Sequence, residues 1–479
     1  MSHAQLRVWP ALAGSKISPT LYGHQLEMVG RSVYDGLWSG RASHSPNEDG
    51  IRLDMLALLK HLRVPLLKWP GDAFADYYHW QDGVGTGGNR PHRMNIPWQQ
   101  IEPNNFGLHE FMNLCTKLEC KPWVTCNGAT GTLEEALALV EYATFGGETN
   151  RTRARGDDGS LDPYEIPFWS ASRGGGWDIN ALTALDSEIN VVQPMEAALG
   201  RSNSGGGFAC PDVALKSPKI LSFRHFFTHG PGRGFGKEAY DDMCVGLQDF
   251  GALLRRYIAQ LSVLYGDRVP AISLQEWGMW HPEATAESGL EQPNTLRDAL
   301  LAASVYNLLH QHAAHVKVAV LAQAVNALQC LAVTEGTAMY LTPNYHVVEM
   351  MRPHRGGRLL THRLESPDME ARAMAAGSKK VSMPALSVSA SRAGKRVCIS
   401  VVNRSYSEPV SLSVEMREGD IASLSGQLLH ADAVSAENSF ENPRNVIPSR
   451  LNVTPDGNTF HDTLPPHSFA VYTVALGQG

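Results

Sequence analysis

The sequence predicts an α/β protein: a (β/α)8 barrel followed by an antiparallel β-sandwich that takes in the N-terminal strand. Three observations carry this expectation. From about residue 20 to 380, short apolar runs alternate with amphipathic helical stretches. From about residue 381 that rhythm gives way to period-two alternation with no long helix. The chain has 479 residues, more than the roughly 250–300 that a single core sustains.

Taken in order, "AQLRVWP" alternates as a strand, and residues 1–19 are assigned to the sandwich. The barrel is assigned to 20–380. Within it "LDMLALLKHL" reads as a helix and "RVPLLKWPGD" as a strand entering a loop. "GLHEFMNLCTKLE" is a helix, and "KPWVTCNGATG" is a strand ending in a polar turn. "LEEALALVEYAT" is the next helix, and "DPYEIPFWSAS" is strand-like. "VPAISLQEWGMW" is an apolar strand ending in Gln275, Glu276 and Trp277. "NTLRDALLAASVYNLLHQH" is a helix with Asn294 as the expected N-cap. "VKVAVLAQAVN" is a buried strand ending at Gln323. No G-x-G-x-x-G follows the first strand, which argues against a dinucleotide-binding sheet. Residues 381–479, with "ALSVSASRAGKRVCISVVNRS" and "HSFAVYTVAL", read as the sandwich.

The net charge of −7 offers no basic surface for nucleic acid or an anionic membrane. Seven cysteines without a C-x-x-C pair argue against a disulfide framework and a zinc site. The histidines form no H-E-x-x-H array, so no metal and no cofactor is expected. The first residues lack the basic and apolar regions of a signal peptide, and no apolar run reaches the roughly 18 residues of a membrane span. A cytoplasmic protein is expected.

A barrel carries its site at the C-terminal ends of its strands. The polar residues there are Glu27, Lys68, Asp72, Asn127, Arg173, Asp178, His225, Glu276 and Gln323, with Trp69, Tyr78, Trp80, Trp177, Trp277 and Trp280 nearby. Carboxylates and amides among aromatic rings suit a sugar, which stacks by its ring face and hydrogen-bonds through its hydroxyls. Glu276, just past an apolar strand and followed by a tryptophan, has the position of a glycosidase nucleophile, or of a buried brace for the barrel.

The segments "LYGHQLE", "RVPLLKWPGDAFADYYHWQDGVG", "EPNNFGLHEFMNLC", "CNGATGTLEEALALVEY", "QEWGMWH" and "LTPNYHV", in that order, resemble the α-L-arabinofuranosidases of glycoside hydrolase family 51. The resemblance implies a barrel plus sandwich, a retaining mechanism, an arabinofuranoside or related furanoside substrate, and a homo-oligomer. It makes Glu276 the nucleophile, Glu27 a ligand of sugar hydroxyls and Gln323 a neighbour of the substrate. Asp72, Asn127, Arg173, Trp177 and His225 are the further substrate-binding candidates. Lys68 and Asp72 depart from the family's arginine and second glycine. His225 matches the first residue of its His-Tyr-Tyr segment, so Phe227 lacks the hydroxyl that would meet the nucleophile.

The largest departure is "FWSASRGGGWD". The family places Asn-Glu there, the Glu being the general acid/base. Arg173 and Gly174 take those positions, or glycines take both, and no carboxylate follows until Asp178. Asp178 is the candidate for a relocated acid. The expected function is an arabinofuranosidase-like hydrolase altered at its acid/base position. The alternative is a non-catalytic homologue that binds or senses a sugar.

Overall fold

The computed structural model describes residues 2–172, 177–199, 218–374 and 379–477. Eight parallel strands close a barrel. They are β1 (Gly23–Gln25), β2 (Leu66–Trp69), β3 (Lys121–Cys126), β4 (Phe168–Ala171), β5 (Asn190–Pro194), β6 (Ile220–Phe227), β7 (Ala271–Met279) and β8 (Val316–Leu321). Each pairs with the next, and β8 closes on β1. The predicted (β/α)8 architecture is therefore present.

Alternation along these strands divides their side chains between two cores. Leu66, Trp123, Phe168, Val192, Ile220, Val318 and Val320 pack together as the plug of the barrel. Leu67, Val124, Trp169, Leu221 and Leu274 join the core shared with the helices. Two residues beyond the plug, the inward face becomes polar at Lys68, Thr125, Ser170 and Ser222, all buried. There the Trp123 indole N–H donates to Ser170 Oγ at 2.9 Å, and the Lys68 ammonium lies 5.1 Å from the Trp123 ring centre. The barrel thus passes from an apolar plug to a polar mouth within one turn of the pleat.

Strand β7 breaks register where function is expected. Phe223 of β6 pairs with Leu274, but Arg224 pairs with Glu276. On the other side Leu274 pairs with Ala319 and Trp277 with Leu321. Gln275 is thus an extra residue on β7, a bulge that re-aims the side chain following it. Glu276 owes its inward direction to that bulge.

The helix Leu296–Gln311 is buried almost all round, because it lies between the barrel and the sandwich. Its cap differs from the expectation. Thr295, not Asn294, is the N-cap, in a capping box with Asp298. Asn294 instead donates to the carbonyls of Gln292 and Leu328, bracing the loop ahead of the helix. Asp298 also meets His281 Nε2 at 3.1 Å and Arg297 Nε at 3.5 Å, all three side chains fully buried. Asp298→Ala would strand a buried cation, and its expected cost is about 3–5 kcal/mol, measured by urea unfolding at neutral pH.

The second sheet has ten strands, and its two ends contribute to one apolar core. Val397, Ile399, Val401 and Tyr472 from one end meet Leu412, Val414 and Phe460 from the other. The N-terminal strand Ser2–Lys16 belongs to this sheet, as expected. One pair corrects the expectation of a wholly antiparallel sandwich: Ser2 to Val8 run parallel to Val410 to Met416. No hairpin joins these distant segments, so no turn dictates their direction. Strand Arg358–Glu365, in the stretch assigned above to the barrel, also pairs in this sheet with the N-terminal strand. The face toward the barrel is fastened by polar contacts. Asn307 accepts from Ser400 Oγ at 2.6 Å, and His310 Nδ1 lies 2.9 Å from Ser389 Oγ.

Candidate active site

Five strand ends bring polar side chains together at the barrel mouth. Gln25 closes β1 and Glu27 follows it. Lys68 lies in β2, followed by a cis Trp69–Pro70 bond, Gly71 and Asp72. Arg224 comes from β6, Glu276 from β7, and Gln323 stands two residues past β8. Gly71 has φ +113°, and a Cβ there would lie 2.3 Å from Glu27 Cγ. Only glycine permits both the turn and the approach of Glu27. Gly71→Ala is expected to displace Glu27 and to cost about 1–3 kcal/mol in backbone strain alone. Thermal unfolding and the affinity for arabinose would report both effects.

Glu27 is held on all sides. Its Oε1 accepts from the Phe74 amide at 3.2 Å and the Trp98 indole at 3.3 Å. Its Oε2 accepts from Gln25 Nε2 at 3.2 Å and Gln323 Nε2 at 3.3 Å. The same Gln25 nitrogen donates to Glu276 Oε1 at 2.8 Å, so one amide orients two carboxylates. Lys68 Nζ is 2.8 Å from Asp72 Oδ1. Arg224 Nη1 lies 3.6 Å from Glu276 Oε2 and 3.8 Å from Asp72 Oδ2. Arg224 is a quarter exposed, whereas Glu276 and Asp72 are buried. Around the rim, Trp98, Phe226 and Trp280 pack on a small apolar cluster that includes Val29 and Leu290.

Three buried carboxylates face two cations among the described residues. Burial raises the Glu276 carboxyl to about 8, with Asp72 and Glu27 adding to the rise and Lys68 and Arg224 opposing it. Glu27 is raised for the same leading reason, burial, and then by Asp72. If the ionised Glu276 is the reactive form, kcat/KM should climb as pH rises toward about 8. A plateau already reached near pH 5 would contradict this.

Glu276, Glu27, Lys68, Asp72 and Gln323 are thus brought together, whereas Asn127, His225, Trp177 and Asp178 are engaged elsewhere. Asn127 is committed to its own turn: its Oδ1 accepts from the amides of Ala129, Thr130 and Gly131, and its Nδ2 donates to Thr130. His225 points to the helix layer. Its ring packs on Phe227 and Phe250, and burial lowers its pKa to about 4. Phe227 shares that outer side, so β6 turns Arg224 and Phe226 toward the site. Trp177 is half-buried against the main core. Asp178 is exposed and caps the turn Ile179–Ala184, accepting from the backbone and side-chain nitrogens of Asn180 at 2.9 Å. The polar contacts of Glu276 run instead to Gln25 and Arg224. Arg173, like the three glycines after it, lies outside the described residues.

Sequence reasoning missed Gln25, Trp98 and Arg224. A signal for Arg224 was present. In "SFRHFF" strict alternation puts Ser222 and Arg224 on one face, opposite Phe223, His225 and Phe227. Trp98 carried no such signal, because it reaches Glu27 from a hairpin formed by Arg93–Asn95 and Gln100–Glu102. Among the described residues no group of three or more His, Cys, Asp or Glu is arranged to hold a metal ion.

A closed (β/α)8 barrel with oriented carboxylates at its mouth, joined to a β-sandwich, is the architecture of a barrel glycoside hydrolase. Comparison with known proteins narrows this. The alpha-L-arabinofuranosidase 1 domain matches residues 58–175, and the alpha-L-arabinofuranosidase C-terminal domain matches 275–468. The intracellular exo-alpha-L-arabinofuranosidase of Bacteroides ovatus is 30% identical over 91% of this chain and 88% of its own length. The GH51 arabinofuranosidase of Xanthomonas axonopodis pv. citri superposes with a TM-score of 0.88 at 27% identity, covering 99% of this chain and all of the other. The arabinose complex of the Thermotoga maritima alpha-L-arabinofuranosidase superposes with a TM-score of 0.84 at 27% identity, over 99% of this chain and 100% of that one. The chain belongs to the α-L-arabinofuranosidases of glycoside hydrolase family 51.

Proposed function

We propose that this chain is a retaining α-L-arabinofuranosidase with Glu276 as nucleophile, altered at its acid/base position. The observation that carries the reading is the placement of Glu276. It stands behind a bulge on β7, buried at the mouth, oriented by Gln25 and faced by Arg224. In this reading the Glu276 carboxylate attacks the anomeric carbon and forms a glycosyl ester. Glu27, Asp72 and Gln323 receive sugar hydroxyls, and the rim of Trp98, Phe226 and Trp280 takes the ring faces. Arabinose-containing oligosaccharides and glycosides are the substrate class, supported by the arabinofuranosidase relatives.

The segment from Ser172 to Gly176 contains no carboxylate, and Asp178 is engaged in its own turn. A retaining glycosidase holds its two carboxyl groups about 5–5.5 Å apart, one of them to protonate the leaving oxygen. Without that proton donor, the groups released readily are those stable as anions. The same missing carboxylate favours a second reading, a non-catalytic sugar binder. Proton NMR of a fresh digest of 4-nitrophenyl α-L-arabinofuranoside separates the two. Release of arabinose with the α configuration first supports retention. Release of the β anomer first, or saturable binding with no release, supports a different reaction or the binder. The relative named intracellular supports a cytoplasmic location. Among the described residues no helix is long and apolar enough to cross a membrane. Light scattering tests the expected homo-oligomer.

A further inference from the structure

The nucleophile of this site has an unusual neighbour. Where the family resemblance leads one to expect a tyrosine hydroxyl from β6, the chain has Phe227, and that ring is turned away into the helix layer with His225, His229 and Phe250. The β6 side chain in register with Glu276 is Arg224. Its Nη1 is almost equidistant from two carboxylates, 3.6 Å from Glu276 Oε2 and 3.8 Å from Asp72 Oδ2. Asp72 is anchored in turn by Lys68 at 2.8 Å. Asp72 stands where the resemblance leads one to expect glycine, and this second carboxylate faces Arg224.

We propose that Arg224 is the positioning cation of the nucleophile, and that Asp72 keeps Arg224 in place while Glu276 carries the sugar. The proposal rests on the reading of Glu276 as nucleophile. Glycosylation consumes the charge of Glu276: an Oε electron pair forms the bond to the anomeric carbon, and the bond to the leaving oxygen breaks with its pair going to that oxygen. The Glu276 ester is neutral, and Arg224 then has Asp72 as its anionic partner. In the second half a water oxygen attacks the anomeric carbon, the bond from that carbon to Glu276 Oε breaks with its pair returning to the carboxylate, the surplus proton of the water passes to solvent, and Glu276 recovers its charge beside Arg224. A single guanidinium held between two carboxylates therefore serves both halves without leaving the site.

The arrangement has a signature of opposite signs. Arg224 favours the ionised form of Glu276 and Asp72 disfavours it, by plain Coulomb interaction. Among the described residues, the other charged groups facing Glu276 are Lys68, beside Asp72 at the end of β2, and Glu27 past β1. Removing the arginine charge should raise the pKa of Glu276. Removing the aspartate charge should lower it, and the freed Lys68 would act in the same direction.

The test measures the titration of Glu276 in the full chain by carbon-13 NMR of labelled glutamate, with Glu276→Gln identifying the resonance. In parallel, kcat/KM for 4-nitrophenyl α-L-arabinofuranoside is followed against pH. Arg224→Gln should move both titrations up by about one pH unit and Asp72→Asn should move both down by about one. Arg224→Lys, which keeps the charge, should stay within about half a unit of the parent. Shifts of the same sign in Arg224→Gln and Asp72→Asn, or no shift in either, would overturn the proposal. If the parent chain hydrolyses nothing, the glycosidase reading fails by itself, and the NMR titration still decides whether Arg224 and Asp72 act on Glu276 with opposite sign.

Discussion

Glu276→Gln is expected to lower hydrolysis of an aryl α-L-arabinofuranoside by about 10⁴-fold or more, the scale on which loss of a covalent nucleophile or its base acts in other hydrolases. The amide is nearly the same shape as the carboxylate and can keep the contact with Gln25 by flipping, so the loss would reflect chemistry rather than collapse of the site. The same substitution should stabilise the fold. Burial holds the Glu276 carboxyl at about 8, against 4.5 for an unperturbed glutamate. Between those values the folded chain keeps a proton that the unfolded chain gives up, so this group disfavours folding increasingly as pH rises from about 4.5 to about 8. Glutamine has no charge to bury. Its thermal unfolding temperature should exceed that of the parent chain at pH 8, with a smaller gap at pH 5. A variant that unfolds at a lower temperature at pH 8 would show that the carboxylate is well accommodated where it stands.

Discrimination between leaving groups is the second large effect. General acid help is typically worth about 10²–10⁴ in rate, and an alkoxide leaving group needs it whereas a nitrophenolate does not. With no carboxylate in Ser172–Gly176, methyl α-L-arabinofuranoside should react slower than the 4-nitrophenyl glycoside by at least that factor beyond the difference shown by a family member with its acid in place. The dependence on leaving-group pKa should be steep across a series of aryl glycosides. A flat dependence would mean that a proton donor operates after all. The candidate would then have to come from outside the β4 segment, since Asp178 is exposed and bonded to Asn180.

The fold was legible because period and length are carried by local pattern. The strands around Leu67, Val124 and Leu274 are short apolar runs, and the stretch "NTLRDALLAASVYNLLHQH" reads as a helix. Glu276 and Glu27 were legible from resemblance, and Glu276 also from its place at the end of an apolar strand. The direction of side chains was harder. His225 was named from its match to the family's His-Tyr-Tyr segment, while the pleat of β6 decides which of two neighbours faces inward, and that is Arg224. Asn127 sat in the right loop but is absorbed by three amides of its own turn. The bulge at Gln275 and the reach of Trp98 from a hairpin depend on pairing between distant segments, which periodicity in one segment does not encode.

The central claim is that Glu276 forms the covalent bond to the sugar. It is tested most directly by incubating the full chain with 2,4-dinitrophenyl 2-deoxy-2-fluoro-α-L-arabinofuranoside, whose fast leaving group needs no acid and whose fluorine slows release of the intermediate. Mass spectrometry of the digested protein should then find one fluorosugar on the peptide containing "ISLQEWGMW", with fragmentation placing it on Glu276. The sugar on Glu27, on Asp72 or on any other residue would contradict the account, as would release of dinitrophenol at the uninhibited rate with no adduct on the chain.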